Sequence, residues 1–422
     1  MRGLARPCAA RRSGYGGRAG GAHENDSETG IITRLALTAG FVFSLSAIVV
    51  AALFEVGGSS ARMVVAAAAG VSPGDAAEAA RRLTAPEGFE VTLFADGLPG
   101  ARLMAVTEAG DVLVSLPEQG TVMHLAADRD GDATADDVRP LIGQLGLPHG
   151  LEIADGWLIV AEESVVRRVR FDGATGQAEG DFEALIEGIP AQSGHWTRTI
   201  RRGPDGALYL TIGSSCNACI EQHEWRAAML RLAPDAARAS VFATGLRNTV
   251  GFDWQPGTGT LYGVDNGRDW LGDDFPPDEL NVIIEGGFYG WPFFNADNVP
   301  DPELGASDAA PTGQQIMPVH WFGAHVAPLA IHFLRHQPDA AWNGRALVTL
   351  HGSWNRSERV GYEVVALAWR GDGTIEQTPF LSGFRDGEAV FGRPVGIAEA
   401  ADGTIYISDD FAGAVYRVTP SG

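Results

Sequence analysis

Lysine is absent from this chain of 422 residues, and its 31 basic side chains are all arginine. Set against 53 Asp and Glu they leave a net charge of −22. That balance argues against nucleic acid as a partner, because tracking phosphates needs a basic surface. Neutral or cationic small molecules stay compatible with it. Cysteine is nearly as scarce, with three in all. Cys8 stands in the N-terminal lead, which leaves Cys216 and Cys219 as a Cys-Asn-Ala-Cys pair. Ile220 follows where a haem-attachment pattern needs histidine, and no second pair exists to complete a zinc site. A thioredoxin-like pair opens a helix, whereas this one follows a strand within a loop. The favoured reading is a short local disulfide formed in an oxidising compartment.

Long hydrophobic runs are also few. One, at residues 35–54, is uncharged and long enough to cross a hydrocarbon core, which needs ~20 apolar residues. Arg2, Arg6, Arg11, Arg12, Arg18 and Arg34 precede or border it. By the positive-inside tendency the N-terminus stays in the cytoplasm and the rest is exported to the periplasmic side. The run is long for a signal-peptide core of roughly 7–15 residues, yet small residues around Ala66–Gly70 offer a cleavage site. It therefore reads either as a hydrophobic helix anchoring the protein in the inner membrane or as a cleaved signal. Residues 1–34 read as a disordered basic lead, 55–85 as a linker, and 86–422 as the folded domain.

What the chain has in quantity is glycine, 55 residues, with 23 prolines and 45% hydrophobic content. These indicate many tight turns around an ample core. From Pro86 onward a unit recurs: a short apolar strand, an Asp-Gly type turn, then a Leu-Tyr-Val type strand. It occupies Leu103–Ser115, Leu147–Glu162, Thr197–Gly213, Arg247–Asp265, Ala327–Gly352 and Arg393–Asp409. Turns of this chemistry make hairpins, and several units continue into a third strand, as at 166–171, 228–232, 360–369 and 413–418. Six copies predict an all-β fold, a six-bladed β-propeller of four-stranded blades with insertions in the fourth and fifth. The segment Phe89–Ala95 precedes the first copy and is placed to pair with 415–418, closing the ring and removing its open edge. An open sandwich of the same strands is the alternative.

In a propeller the innermost strand of each blade starts near the central axis. The residues just before these strands are Arg102, His149, Arg198, Arg247 with Asn248, His325 and Arg393. Cations gathered there in an acidic protein point to an anionic ligand, since buried unpaired cations are costly. His149, in Leu-Pro-His-Gly-Leu, titrates in a range that lets it take a proton from a hydroxyl.

The stretch from 245 to 292 adds a second chemistry. Gly-Leu-Arg-Asn at 245–248 leads to an acidic segment with seven Asp or Glu against one Arg between 265 and 285, then to Tyr-Gly-Trp-Pro at 289–292. Arginine offers a planar fork to carboxylates, and the acidic segment can hold a hard cation through oxygens. A second acidic run, 128–137, has Asp at relative positions 1, 3, 5 and 9 of a calcium loop. Ala133 and Arg139 stand where that loop wants glycine and glutamate, so it reads as a polar hairpin end.

With Leu-Pro-His-Gly-Leu, Gly-Leu-Arg-Asn, Asp-Glu-Leu-Asn (278–281), Tyr-Gly-Trp-Pro, His-Gly-Ser-Trp-Asn-Arg (351–356) and Gly-Arg-Pro-Val-Gly (392–396), the chain resembles the glucose/sorbosone dehydrogenase family over residues 86–420. These are soluble-type sugar dehydrogenases that use pyrroloquinoline quinone (PQQ) and calcium, and the chain looks closest to the bacterial L-sorbosone-dehydrogenase-like branch. The resemblance implies PQQ over the central mouth, a sugar substrate, and a histidine base acting as hydride passes to the quinone. It implies His149 as that base and Arg247 as the residue facing developing charge on the cofactor, with Asn248 beside it. Arg102, Arg393, His325 and Trp354 would complete the cofactor site. Asn266 and Gly267 would sit at the cofactor calcium, and Glu279 and the Tyr289 carbonyl at a structural calcium. Pro148 stands where the glucose-oxidising members carry an acidic residue, and Trp354, Asn355 and Arg356 occupy the region of their cofactor-binding lysine. Two other classes remain open: a calcium-dependent lactone hydrolase, since propellers host that chemistry too, and a non-catalytic ligand-binding propeller. The electron acceptor of the dehydrogenase is not legible.

Overall fold

A computed structural model describes residues 74–234, 238–311 and 315–421. The lead, the hydrophobic run and most of the linker lie outside this set. No helix among the described residues is long and apolar enough to cross a membrane. The chain from residue 86 is an all-β six-bladed propeller, and each of the six repeats supplies the two inner strands of one blade.

Blade 1 comprises Met104–Val106, Val112–Leu116, Thr121–Leu125 and Val138–Ile142. Blade 2 comprises Gly150–Ala154, Trp157–Ala161, Val165–Asp172 and Gln177–Glu187. Blade 3 runs Arg198–Arg202, Leu208–Ile212, Ala228–Leu232 and Ser240–Thr244; blade 4 runs Thr249–Trp254, Leu261–Asp265, Pro277–Val282 and His320–Ala324. Blade 5 is Pro328–Phe333, Ala346–Leu350, Glu363–Trp369 and Ile375–Leu381. Blade 6 takes Pro394–Glu399, Ile405–Asp409 and Ala414–Pro420, and its fourth strand is the N-terminal Phe89–Ala95. The expected closure is thus present, with Val91 opposite Val418 and Leu93 opposite Tyr416.

Burial explains why the two inner strands of a repeat read as continuous apolar runs. Val112–Leu116 and Pro328–Phe333 are buried at every residue, because each is covered by the neighbouring blade on either face. The outer strand Gln177–Glu187 is mostly exposed and polar. The core therefore lies between blades. One cluster joins Phe94, Ala398, Tyr406 and Val415 of blade 6 to Val112, Val114 and Leu125 of blade 1.

Neighbouring blades are latched near the axis by side-chain hydroxyls on second strands. Ser115 Oγ donates to the His149 carbonyl (2.8 Å), Thr349 Oγ to that of Val395 (2.7 Å) and Ser408 Oγ to that of Arg102 (2.5 Å). Gly150 permits the same close approach, since a Cβ there would lie 2.6 Å from the Arg198 carbonyl oxygen. These contacts fix where each inner strand begins, and so where His149 and Arg102 stand.

Two features depart from the repeat. The blade 4 insertion, 283–319, places Gly287–Phe288 parallel to Ser240–Thr244 as a fifth strand of blade 3. It is pinned by a buried ion pair, Arg268 to Asp301 at 2.6 Å. The end of the expected linker is also ordered: Ala76–Arg82 forms a helix capped by the Asp75 side chain, which accepts from the Glu78 amide. Ala76 and Ala79 bury against the core shared by blades 5 and 6. Alanine-rich composition suits both helix and linker, and only the apolar face offered by the propeller decides between them.

Candidate active site

A cavity of about 350 Å³ opens at the mouth where the inner strands begin. It is lined by Arg102, Arg247, Asn248, Asn266, Gly267, His325, Trp354 and Arg393, so eight sequence-predicted residues from four blades or their loops meet there. A smaller cavity of about 20 Å³ adjoins it, lined by Asn266, Gly267, Glu279, Tyr289 and Asp265. That is room for one ion or water. The Tyr289 hydroxyl donates away from it, to the Val282 carbonyl at 2.6 Å.

The three guanidiniums differ. Arg247 is held on every side: Nε donates to the Asn217 carbonyl (3.0 Å), Nη1 to the Asn266 carbonyl (3.1 Å), and Nη2 to Asn217 Oδ1 (2.9 Å) and Asp269 Oδ2 (3.0 Å). Arg102 pairs with Asp410 at 2.8 Å, while its buried Nε has no partner. Arg393 donates weakly to the carbonyls of His351 (3.4 Å) and Gly352 (3.2 Å). Among the described residues no carboxylate lies within ion-pair distance of it, so its charge is the least compensated in the mouth.

Arg198, expected to face the same mouth, does not. It is fully buried, and its guanidinium donates to the carbonyls of Glu163, Pro190, His195 and Thr197. It staples the 190–197 loop, a role that removes it from ligand binding.

His149 is also displaced from the expectation. It is 0% exposed and does not line the main cavity. The Trp196 indole, which does line it, lies edge-on to the imidazole with centroids 5.4 Å apart. Nδ1 is 3.2 Å from the Arg198 carbonyl; a carbonyl only accepts, so the proton sits on Nδ1 and Nε2 carries the lone pair. Nε2 is buried with no partner. Burial, and then the Arg102 charge, hold the imidazole's pKa well below its ordinary value, so it is a neutral acceptor at pH 7.

His325, expected at the cofactor, lines the cavity, but both ring nitrogens are engaged. Nε2 meets the Gly272 carbonyl at 2.8 Å and Nδ1 meets Asn355 Nδ2 at 3.2 Å. It braces the 269–274 loop. Trp354 is 49% exposed and makes an edge-to-face pair with the exposed Trp270 at 5.3 Å.

Beneath the acidic segment, Asp265 and Asp278 are buried and Glu279 is half-buried. Asp265 Oδ1 accepts from the Asn248 amide (2.6 Å), and Asp278 accepts from the amides of Gly267 and Ala327 (2.8 Å each). Burial raises Asp265 and Asp278 to about 7. Burial and then Asp265 raise Glu279 to about 8. Arg247 acts electrostatically with Asp265 and Asp278, and it also serves Asp269. Asp265 and Glu279 line the ion-sized space together with Asn266, and Asp278 lines the larger cavity beside it; oxygen donors of this kind suit a hard divalent cation such as calcium.

Sequence reasoning missed several residues of the site. Asn217, Asp269 and Asn355 form its hydrogen-bonded frame, with Asn355 Nδ2 donating to Asp269 Oδ1 at 2.7 Å. His351 Nε2 lies 2.9 Å from Asp410 Oδ1, and burial, then Arg393, push His351 down to about 4. Asp410 stays ionised: the His351 hydrogen bond and the charges of Arg102 and Arg393 outweigh the effect of its burial. His351 stood in a quoted motif and Asp410 directly followed the last repeat, but nothing in the sequence joined them.

The acidic run at 128–137 closes the hairpin of Thr121–Leu125 and Val138–Ile142, the polar end expected of it, and brings the carboxylates of Asp128, Asp130 and Asp136 close together. Asp128 accepts from Arg417 at 2.6 Å and from the amides of Gly131 and Ala133. Cys216 and Cys219 form the expected disulfide. Peptide mass spectrometry without reductant should therefore find both cysteines in one linked peptide that resists alkylation. Alkylated thiols at both positions in exported protein would contradict the assignment.

The class is thereby defined: a six-bladed propeller whose mouth gathers cations for an anionic ligand beside a carboxylate-lined ion pocket. The chain belongs to the TrAA12-like family, whose profile matches residues 83–283 and 294–421. An uncharacterised protein of Borreliella burgdorferi is 37% identical over 217 residues, 50% of this chain and 56% of that protein. A pyrroloquinoline quinone-dependent pyranose dehydrogenase of Coprinopsis cinerea is 25% identical over 409 residues, 80% of this chain and 54% of that protein. The chain thus spans about half the length of these curated relatives. Among solved structures, the Trichoderma reesei family AA12 enzyme superposes with a TM-score of 0.68 at 24% identity, covering 81% of this chain and 98% of that one. The holo PQQ domain of the Coprinopsis enzyme gives 0.65 at 21%, covering 80% and 97%. At these identities the structural likeness speaks for the fold.

Proposed function

We propose that this protein is a PQQ- and calcium-dependent dehydrogenase that oxidises an aldose or related sugar, working on the periplasmic side and passing electrons to a separate acceptor. The observation that carries this reading is the adjoining of two cavities: one ringed by Arg102, Arg247 and Arg393, the other by Asp265 and Glu279, with Asn266 and Gly267 shared between them. A multi-carboxylate ligand that chelates a cation needs that adjacency. The names of the Coprinopsis relative and of the PQQ-dependent sugar dehydrogenase of Hypocrea jecorina support it.

When bound, PQQ with calcium would supply the acceptor for the hydride leaving the sugar carbon. The chain's own residues do the rest. Arg393 and Arg102 attract the carboxylates, and Arg247 presents a fixed positive fork to charge that grows during reaction. His149 takes the hydroxyl proton at Nε2, the only ring position free to accept it. Trp196, which packs edge-on against the imidazole and lines the cavity, stands between His149 and the space that would hold the substrate. Trp354 and Trp270 give the mouth an aromatic rim suited to the apolar face of a sugar ring.

Cation dependence supplies the test. The folded-state pKa values of Asp265, Asp278 and Glu279 lie at about 7, 7 and 8, above the unfolded values of roughly 4. The cation-free protein therefore binds more protons folded than unfolded across this window, and its stability falls as pH rises from about 4 to 8. Calcium needs the ionised carboxylates, so its affinity should rise over the same window and its binding should release protons. Calorimetry with chelator should show a melting temperature that declines from pH 5 to 8, and calcium should remove most of the decline. PQQ titrations followed by absorption should show binding only with calcium present. Equal PQQ binding with and without chelator would remove the metal from this reading.

A further inference from the structure

The frame around Arg247 is drawn together by one residue. Asn217 lies inside the four-residue ring closed by the Cys216–Cys219 disulfide, in the blade 3 loop between Leu208–Ile212 and Ala228–Leu232. Its carbonyl accepts from Arg247 Nε (3.0 Å) and Trp291 Nε1 (3.2 Å). Its Oδ1 accepts from Arg247 Nη2 (2.9 Å) and the Asp269 amide (2.8 Å), and its Nδ2 donates to the Asp269 carbonyl (3.1 Å). All its side-chain polar atoms thus point at two targets in blade 4, the guanidinium and the loop that follows Asn266 and Gly267.

The ring itself is anchored at both ends. Ser214 Oγ donates to the Cys216 carbonyl (2.6 Å), the Ser214 amide donates to the Arg247 carbonyl (2.8 Å), and Ser215 donates through both its amide and hydroxyl to Glu221 (2.6 and 2.7 Å). A four-residue loop held this way has few conformations to lose when Asn217 engages Arg247. Asn217 thus shares the guanidinium with Asp269, the carboxylate that acts on it most strongly, ahead of Asp265 and Asp278.

We infer that Asn217 is a positioning residue that aims Arg247 and the 266–269 loop at the cofactor, and that the disulfide ring keeps Asn217 in place to do so. This rests on the proposed PQQ and calcium site. It assigns the cysteine pair a function at the site, through a residue that does not itself line the main cavity.

The test compares Asn217→Ala, Arg247→Ala, the double variant, and Cys216→Ser with Cys219→Ser. Each is measured for melting temperature, calcium and PQQ affinity, turnover, and the crystal structure of the cofactor-free protein. Asn217→Ala should weaken PQQ binding by about 10–100-fold, the usual effect of removing a partner that orients a ligand-bearing group. In the Arg247→Ala background the same change should add less than about threefold, because the action passes through the arginine. The double serine variant should lie between wild type and Asn217→Ala. The crystal structure of Asn217→Ala should show Arg247 turned from its present direction and the 266–269 loop shifted. If Arg247 and the loop superpose on wild type, or if the Asn217 effect is undiminished in the Arg247→Ala background, Asn217 does not position them. Should wild type itself take up no PQQ, the functional reading fails, while the position of Arg247 in the variant crystal still decides the inference.

Discussion

Replacing His149 by alanine should lower kcat by about 10²–10⁴-fold, the usual worth of a positioned general base. The expectation follows from the Nδ1 contact to the Arg198 carbonyl, which leaves Nε2 as a buried acceptor with no protein partner. PQQ affinity should change less than about threefold, because His149 lies outside the cavity lined by the guanidiniums, behind Trp196. The neutral state of the imidazole is set by burial and Arg102, so at saturating calcium and PQQ the activity should hold through neutral pH and fall only in acid, where the base protonates. In His149→Ala that acid limb should disappear from the residual rate. Near-normal turnover of His149→Ala on every substrate the wild type oxidises would make the histidine structural and end the proton-transfer scheme.

Arg247→Ala should weaken PQQ binding and turnover together, each by at least about 10²-fold, the scale on which a single preorganised donor acts. Its loss also strands Asp269 and Asn217, which it now bonds at 3.0 and 2.9 Å. Breaking one side of a fully buried pair costs about 3–5 kcal/mol; Asp269 is partly exposed, so the loss here is smaller, but the melting temperature should fall as well. Arg247→Lys should recover part of the melting temperature but little of the turnover. An ammonium can meet Asp269, but it cannot reach the Asn217 and Asn266 carbonyls in the plane that the guanidinium spans. The paired signature separates the two residues: kcat alone for His149, and affinity, rate and stability together for Arg247. An Arg247→Lys enzyme with wild-type turnover would show that charge without geometry suffices.

The propeller was legible because it is periodic. A hairpin with an Asp-Gly turn and two apolar strands needs only local chemistry, and six of them leave one way to cover every face. The edge left at Ala414–Pro420 then calls for one more strand, which Phe89–Ala95 matches in length and pattern. The same periodicity placed Arg102, Arg247, Asn248 and Arg393 at the starts of inner strands, and these residues do meet at one cavity. The pairing of Cys216 with Cys219 was equally local.

What strand period cannot convey is what a side chain meets once it arrives. Arg198 and Arg247 both stand near the start of the inner strand in successive repeats, yet four loop carbonyls absorb the first and the second is held out to the cavity. The Ala76–Arg82 helix and the fifth strand of blade 3 likewise depend on faces that other blades provide. Arg102 finds Asp410 across 308 positions of sequence, and Asn355 finds Asp269 across 86. The sequence alone determined the fold and the axial position of the basic residues, because backbone period and turn chemistry are short-range. Only the tertiary structure decided which cations remain available, which imidazole nitrogen is free and which asparagine aims Arg247, because burial and charge pairing are settled by groups that the closed ring brings together.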